Sequence, residues 1–207
     1  MWRRSYRIAG PLLALSAVCL LIAIAPLELW PTPRPGDSYV FNPPLFSGIW
    51  VQRTLRPALI ITANALVLVG LSAVFRRDGA SMSRLQRVFA FAGLVGTGLC
   101  LLGTLLFTTA GPNEIGRELT AFLIWALSFL LIFLGLIGWG AGYVRSEKPR
   151  LGAALIGAPA LTGVLFGLSL AGIELPSMGR LLLIAPTSVM TLVVGYDLWK
   201  HQVSDDS

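Results

Sequence analysis

Apolar runs close to 20 residues long alternate with short polar connections along the whole chain. Read as helices, they predict spans at about 8–26, 55–75, 88–110, 119–144, 151–173 and 181–199. A helix rises about 1.5 Å per residue, so roughly 20 residues cover the ~30 Å hydrocarbon core of a bilayer. None of the runs alternates polar and apolar residues with period two, as the strands of a membrane barrel do. The expected fold class is therefore all-α: a polytopic membrane protein built as a six-helix transmembrane bundle. It forms one membrane domain over residues 1–207, with hairpins 1–2, 3–4 and 5–6.

The first run follows Arg3, Arg4 and Arg7 and has the outline of a signal peptide, with small residues at Ala23 and Ala25. Pro26 would stand just after such a cleavage site, and the run is long for a signal core, so an uncleaved span is expected. An ordered outer loop, 27–54, comes next. Pro31, Pro33, Pro35, Pro43 and Pro44 exclude a regular helix there. Its aromatic residues argue against disorder and favour the headgroup level of a bilayer. Trp30, Tyr39, Phe41, Asn42, Phe46 and Trp50 are thus candidates for binding a ligand or partner, or for simply anchoring spans 1 and 2.

Within the spans the polar signals are few. Asn64 lies near the middle of span 2, where an amide needs a partner, either on a neighbouring helix or on a ligand. Span 3 carries a stripe of small residues at Ala92, Gly93, Gly96, Gly98 and Gly103. Span 4 ends in Gly138 and Gly142, and span 5 holds Gly163 and Gly167, both pairs at GxxxG spacing. Such glycines let helices approach closely, inside one bundle or between two copies. Pro159 and Pro186 should kink spans 5 and 6, with Thr162, Thr187 and Ser188 at hand to satisfy freed backbone groups.

The composition agrees with this pattern. The chain is 55% hydrophobic and 13% charged, with mean hydropathy +0.76; soluble domains carry about 25% charged residues. The net charge of +6 is spread over short caps between apolar runs, so it reads as topology signal rather than as a nucleic-acid surface. With six spans, Arg3, Arg4, Arg7, Arg76, Arg77, Arg84, Arg87, Arg145, Lys148, Arg150 and Lys200 share one side. Arg34, Arg53, Arg56, Arg117 and Arg180 share the other. The richer side is cytoplasmic by the positive-inside rule, which puts both termini in the cytoplasm and the long loop outside a plasma membrane. Arg76, Arg77, Arg84 and Arg87 are read as studding a short loop. Asp197 is read as an interfacial charge beside Lys200, within reach of water.

Chemistry is harder to find. Cys19 and Cys100 fall inside apolar runs and read as small packing residues, although a bridge between them stays open. One histidine, His201 in the polar tail, leaves little from which to build a metal or haem site, and no cofactor is expected. An enzyme at the outer face would have to use Glu114 or Glu118 with Arg53 or Arg56, residues that serve equally well as solvated rim charges. The kinked spans 5 and 6 offer a second reading, a small-solute or lipid transporter, without a charged partner at mid-depth. The preferred expectation is a non-enzymatic membrane protein, an accessory or scaffolding subunit acting through the outer loop. Its partners would be the lipid bilayer and a membrane protein or a second copy of itself, and not nucleic acid.

From Arg56 to Trp199 the chain also carries a set of short motifs. They are Phe41-Asn42 just before this region, Gly70 with the Arg76-Arg77 exit, Gly96 to Gly103 followed by Gly111-Pro112, Gly179-Arg180, Pro186, and Gly195-Tyr196. On these it resembles a family of uncharacterised six-span prokaryotic membrane proteins, distantly similar to the Frag, DRAM and Sfk membrane proteins. The resemblance implies a six-helix bundle. The acidic and histidine residues frequent in that family's outer loops have no clear counterparts here.

Overall fold

The computed structural model describes residues 3–29, 50–109, 115–146, 148–172 and 179–204. Among them there are six long helices and no strand. They are α1 (Arg3–Leu29), α2 (Arg56–Asp78), α3 (Arg84–Thr109), α4 (Ile115–Val144), α5 (Pro149–Leu170) and α6 (Gly179–Ser204). Helices α2, α3, α4 and α5 are each long and apolar enough to cross a membrane, and α1 carries a shorter apolar stretch, Ile8–Ile24. The chain is therefore a helical protein of membrane-embedded character.

The helices outlast the apolar runs that predict them. Arg76 and Arg77 form the last turn of α2, and Arg84 and Arg87 the first turn of α3, so the connecting loop shrinks to five residues, 79–83. Backbone hydrogen bonds propagate past the last apolar residue while the side chains reach outward. The expected polar tail from Lys200 is likewise helical as far as Ser204. At the other boundary, α1 extends to Leu29, and one π-helical turn, Val51–Leu55, leads into α2. The Arg56 N–H donates to the Val51 carbonyl. Pro57, near the start of α2, has no N–H and its ring crowds the preceding turn, which accounts for the wide winding there. Pro159 and Pro186 both lie inside continuous helices.

Each helix packs on its neighbours in sequence, and α1 also packs on α6, closing the series; the α3–α4 interface is the most extensive. Glycines set the closest approaches. A Cβ on Gly135 would lie 2.3 Å from the Gly93 nitrogen, one on Gly140 2.8 Å from the Gly152 carbonyl, and one on Gly10 2.8 Å from the Gly195 carbonyl. The predicted stripe on α3 divides: Gly93, Gly96 and Gly103 face α4, whereas Gly98 faces open space. The Gly138 and Gly142 pair is filled from within the same chain by Phe89 and Gln86. Gly163 meets Phe133, and Gly167 faces open space.

The apolar core is concentrated toward one end. Leu13, Leu71, Val74, Ala90, Trp139, Leu155, Val194 and Leu198 belong to one buried cluster drawn from all six helices. A satellite of Cys19, Leu20 and Ala63, backed by Leu59 and Ile184, fills the opposite half. Both cysteines are buried and free. Large apolar side chains remain on the outside, among them Phe122, Leu123, Leu127 and Leu130 of α4, as expected of a surface whose solvent is lipid.

Candidate functional site: a buried ionic clasp

The stripe that buries one face of α2 runs Ala63, Val67, Gly70, Leu71, Val74, and ends at Asp78. The spacing is helical, so Asp78 enters the interior one turn beyond the last apolar residue of the stripe. Helix α4 brings Tyr143 to the same level one turn after Trp139, and the α4–α5 connection supplies Lys148. The ring of Trp139 is fully buried and meets Phe75 of α2 edge-on, with centroids 6.4 Å apart. This contact fixes the spacing of α2 and α4 just above the charges.

Asp78 is the hub. Its carboxylate accepts hydrogen bonds from Arg77 Nε at 2.8 Å, Arg77 Nη2 at 2.8 Å, Tyr143 Oη at 2.6 Å and Lys148 Nζ at 3.1 Å. Arg77 Nη2 also donates to Asp197 Oδ2 of α6 at 2.7 Å. Two carboxylates and two cations thus interlock in one network joining α2, α4, the start of α5, and α6. Side-chain exposures of 9% for Asp78, 18% for Arg77 and 22% for Asp197 place it under partial cover. A carboxylate removed from water needs neutralising cations and filled lone pairs, and this one has both. Arg77 Nη1 is buried with no partner among the described residues. A second layer holds the turn: Ser81 Oγ and its N–H donate to the Asp78 carbonyl, and Arg87 Nη2 donates to the Gly79 carbonyl at 2.7 Å.

The clasp lies at the end of the bundle where α1 begins and α6 ends, since Gly10 sits against Gly195 and Trp199. Two residues read from the sequence change character here. Arg77 is a bridging group between two carboxylates, and Asp197, near the end of α6, pairs with Arg77 across 120 residues of sequence. Asp78, Tyr143 and Lys148 have no place among the sequence-derived candidates.

Those candidates fall elsewhere. Trp30, Tyr39, Phe41, Asn42, Phe46 and Glu114 lie outside the described residues, as does most of the predicted outer loop, and the Arg53 side chain is likewise not described. Trp50 stands at the entry to the π-turn and is 40% exposed. Arg56 begins α2 and is half-buried. Asn64 is half-buried on α2, and its amide makes no hydrogen bond among the described residues. Glu118 is exposed in the first turn of α4 and makes no ion pair among them. Its neighbour Arg117 donates to Thr109 Oγ1 at 2.8 Å, across the α3–α4 turn. Ser188, expected to help near Pro186, is buried, and its hydroxyl has no partner among the described residues.

No grouping of three His, Cys, Asp or Glu side chains able to hold a metal occurs among the described residues. No protein-family model, no curated protein and no solved structure matches the chain.

Proposed function

We propose that the chain is a six-span protein of the plasma membrane, with both termini and the ionic clasp in the cytoplasm, acting as a non-enzymatic scaffolding or accessory subunit. The observation that carries this reading is the clasp itself. The densest polar constellation among the described residues joins four parts of the fold, with its charges paired to one another rather than arranged around a cleft. Sites built for catalysis aim such groups at a reacting atom; here they hold helices. The orientation is supported by the unequal share of basic residues at the two ends. The outer loop remains the proposed contact for a membrane partner, through Trp30, Tyr39, Phe41, Phe46 and Trp50. The kinship proposed with the Frag, DRAM and Sfk proteins rests on the short motifs alone.

The test is purification of the tagged protein in mild detergent, followed by mass spectrometry of the intact complex. A companion chain in fixed ratio is expected. It should be lost when residues 30–49 are replaced by a glycine–serine linker, with the melting temperature of the bundle preserved. A second reading, lipid transport, draws on a groove of about 430 Å³ between α5 and α6, lined by Gly157, Ala158, Leu161, Pro186 and Val189. Its wall is almost wholly apolar, which suits an acyl chain better than a polar solute. Reconstituted vesicles that moved labelled lipid, and stopped doing so with Gly157→Leu, would favour that reading over the first.

A further inference from the structure

At the corner between α2 and α3, a hollow of about 410 Å³ is lined by Phe75, Arg84, Arg87, Val88 and Phe91. We infer that it seats the headgroup of an acidic diacyl phospholipid, such as phosphatidylglycerol, from the leaflet on the clasp side. The inference rests on the membrane reading above and goes beyond it by assigning a ligand.

The face of α3 carries the argument. Residues 84, 87, 88 and 91 recur at helical spacing, so they form one continuous strip. The strip begins with two guanidinium groups and passes into exposed apolar side chains, Val88 at 64% and Phe91 at 61%. A phosphate held by the arginines would have its glycerol and acyl chains lying along Val88 and Phe91. A free phosphate or nucleotide would leave that apolar wall unused. No carboxylate lines the hollow. The nearest in sequence, Asp78, is turned inward and taken up by Arg77, Tyr143 and Lys148. The positive charge at the mouth is therefore not cancelled locally. Arg87 is also held in place through its bond to the Gly79 carbonyl at 2.7 Å, which aligns one guanidinium before a lipid arrives. Basic pockets between spanning helices on the cytoplasmic side are a recurrent way of holding anionic headgroups, and the hollow falls within the usual range of ligand-site volumes.

The experiment measures lipid adducts by native mass spectrometry of the intact protein in detergent, titrated with phosphatidylglycerol or phosphatidylcholine. Phosphatidylglycerol should bind preferentially, and Arg84→Gln with Arg87→Gln should weaken it about 30-fold, from the loss of two surface cations. Arg145→Gln with Arg150→Gln removes the same charge from the same end outside the hollow and should retain the binding. Phe91→Ala should weaken phosphatidylglycerol while keeping both cations. Equal binding of the two lipids, equal loss in both double variants, or displacement of the lipid by inorganic phosphate at comparable concentration would each overturn the inference. Alkaline carbonate extraction of cell membranes separates this failure from that of its premise. A chain that stays with the lipid pellet yet shows no preference sinks the headgroup site alone, whereas a chain released into the supernatant sinks the membrane reading.

Discussion

The two ends of the bundle are held by different means. At the end where α2 stops and α3 begins, a contiguous apolar core runs directly into a network of paired charges, and four helical segments share it. At the opposite end the described residues supply a small cluster around Cys19, Leu20 and Ala63, the close approach of Gly103 to Ala121 and Trp125, and the local bond from Arg117 to Thr109. Among the described residues, only the first end combines long-range contacts with charged groups that cannot be left unpaired. Resistance to perturbation should therefore be strongly asymmetric along the bundle axis.

The largest effect should come from the hub. Asp78→Asn leaves Arg77 and Lys148 under cover without their shared counter-charge, and removing one member of a buried ion pair costs about 3–5 kcal/mol. Thermal unfolding in detergent should show this as the steepest loss of any single substitution, with the clasp end becoming accessible to thiol labelling through a reporter cysteine at the buried position 82. Next, Leu71→Ala in the main core should cost about 2–5 kcal/mol, as large-to-small changes do. Leu20→Ala in the satellite should cost distinctly less in the same assay. Equal values would erase the proposed asymmetry. Tyr143→Phe removes one hydrogen bond to a charged acceptor and keeps the ring, for a loss of about 1.5–3 kcal/mol. Smaller still is the contrast between two glycines. Gly135→Ala must push α3 and α4 apart, at about 1–3 kcal/mol. Gly98→Ala meets open space and should be neutral, or stabilising by up to about 1 kcal/mol from helix propensity.

The helices were legible because the hydropathy of the runs and the length of a bilayer crossing leave few alternatives. The glycine stripe on α3 pointed to a close interface, and the α3–α4 contact uses Gly93, Gly96 and Gly103. Gly98, one small residue away, shows what composition cannot tell: a stripe names residue types, while the helical phase decides which of them face a neighbour. The clasp was hidden for a related reason. A tally of basic residues treats Arg77 and Lys148 as equivalent surface markers, because it counts sign and ignores depth. Asp78, flanked by Arg76, Arg77 and Gly79, reads as part of a charged turn. Yet the apolar stripe Ala63, Val67, Leu71, Val74 extended by one more turn arrives at Asp78. Carrying that periodicity past the end of the apolar run would have marked the residue. The pairing with Tyr143, Lys148 and Asp197 stays beyond such reasoning, since it depends on how α2, α4, α5 and α6 assemble.

The most direct test of the clasp is a double-mutant cycle between Asp78 and Lys148, using Asp78→Asn, Lys148→Met and the two together, read by reversible unfolding in lipid-like detergent. Groups joined through a 3.1 Å charged contact under partial cover should not act independently. The account predicts that the double variant is more stable than the sum of the single losses implies, by about 1–3 kcal/mol. Strict additivity, with each substitution contributing as though the other were absent, would contradict it.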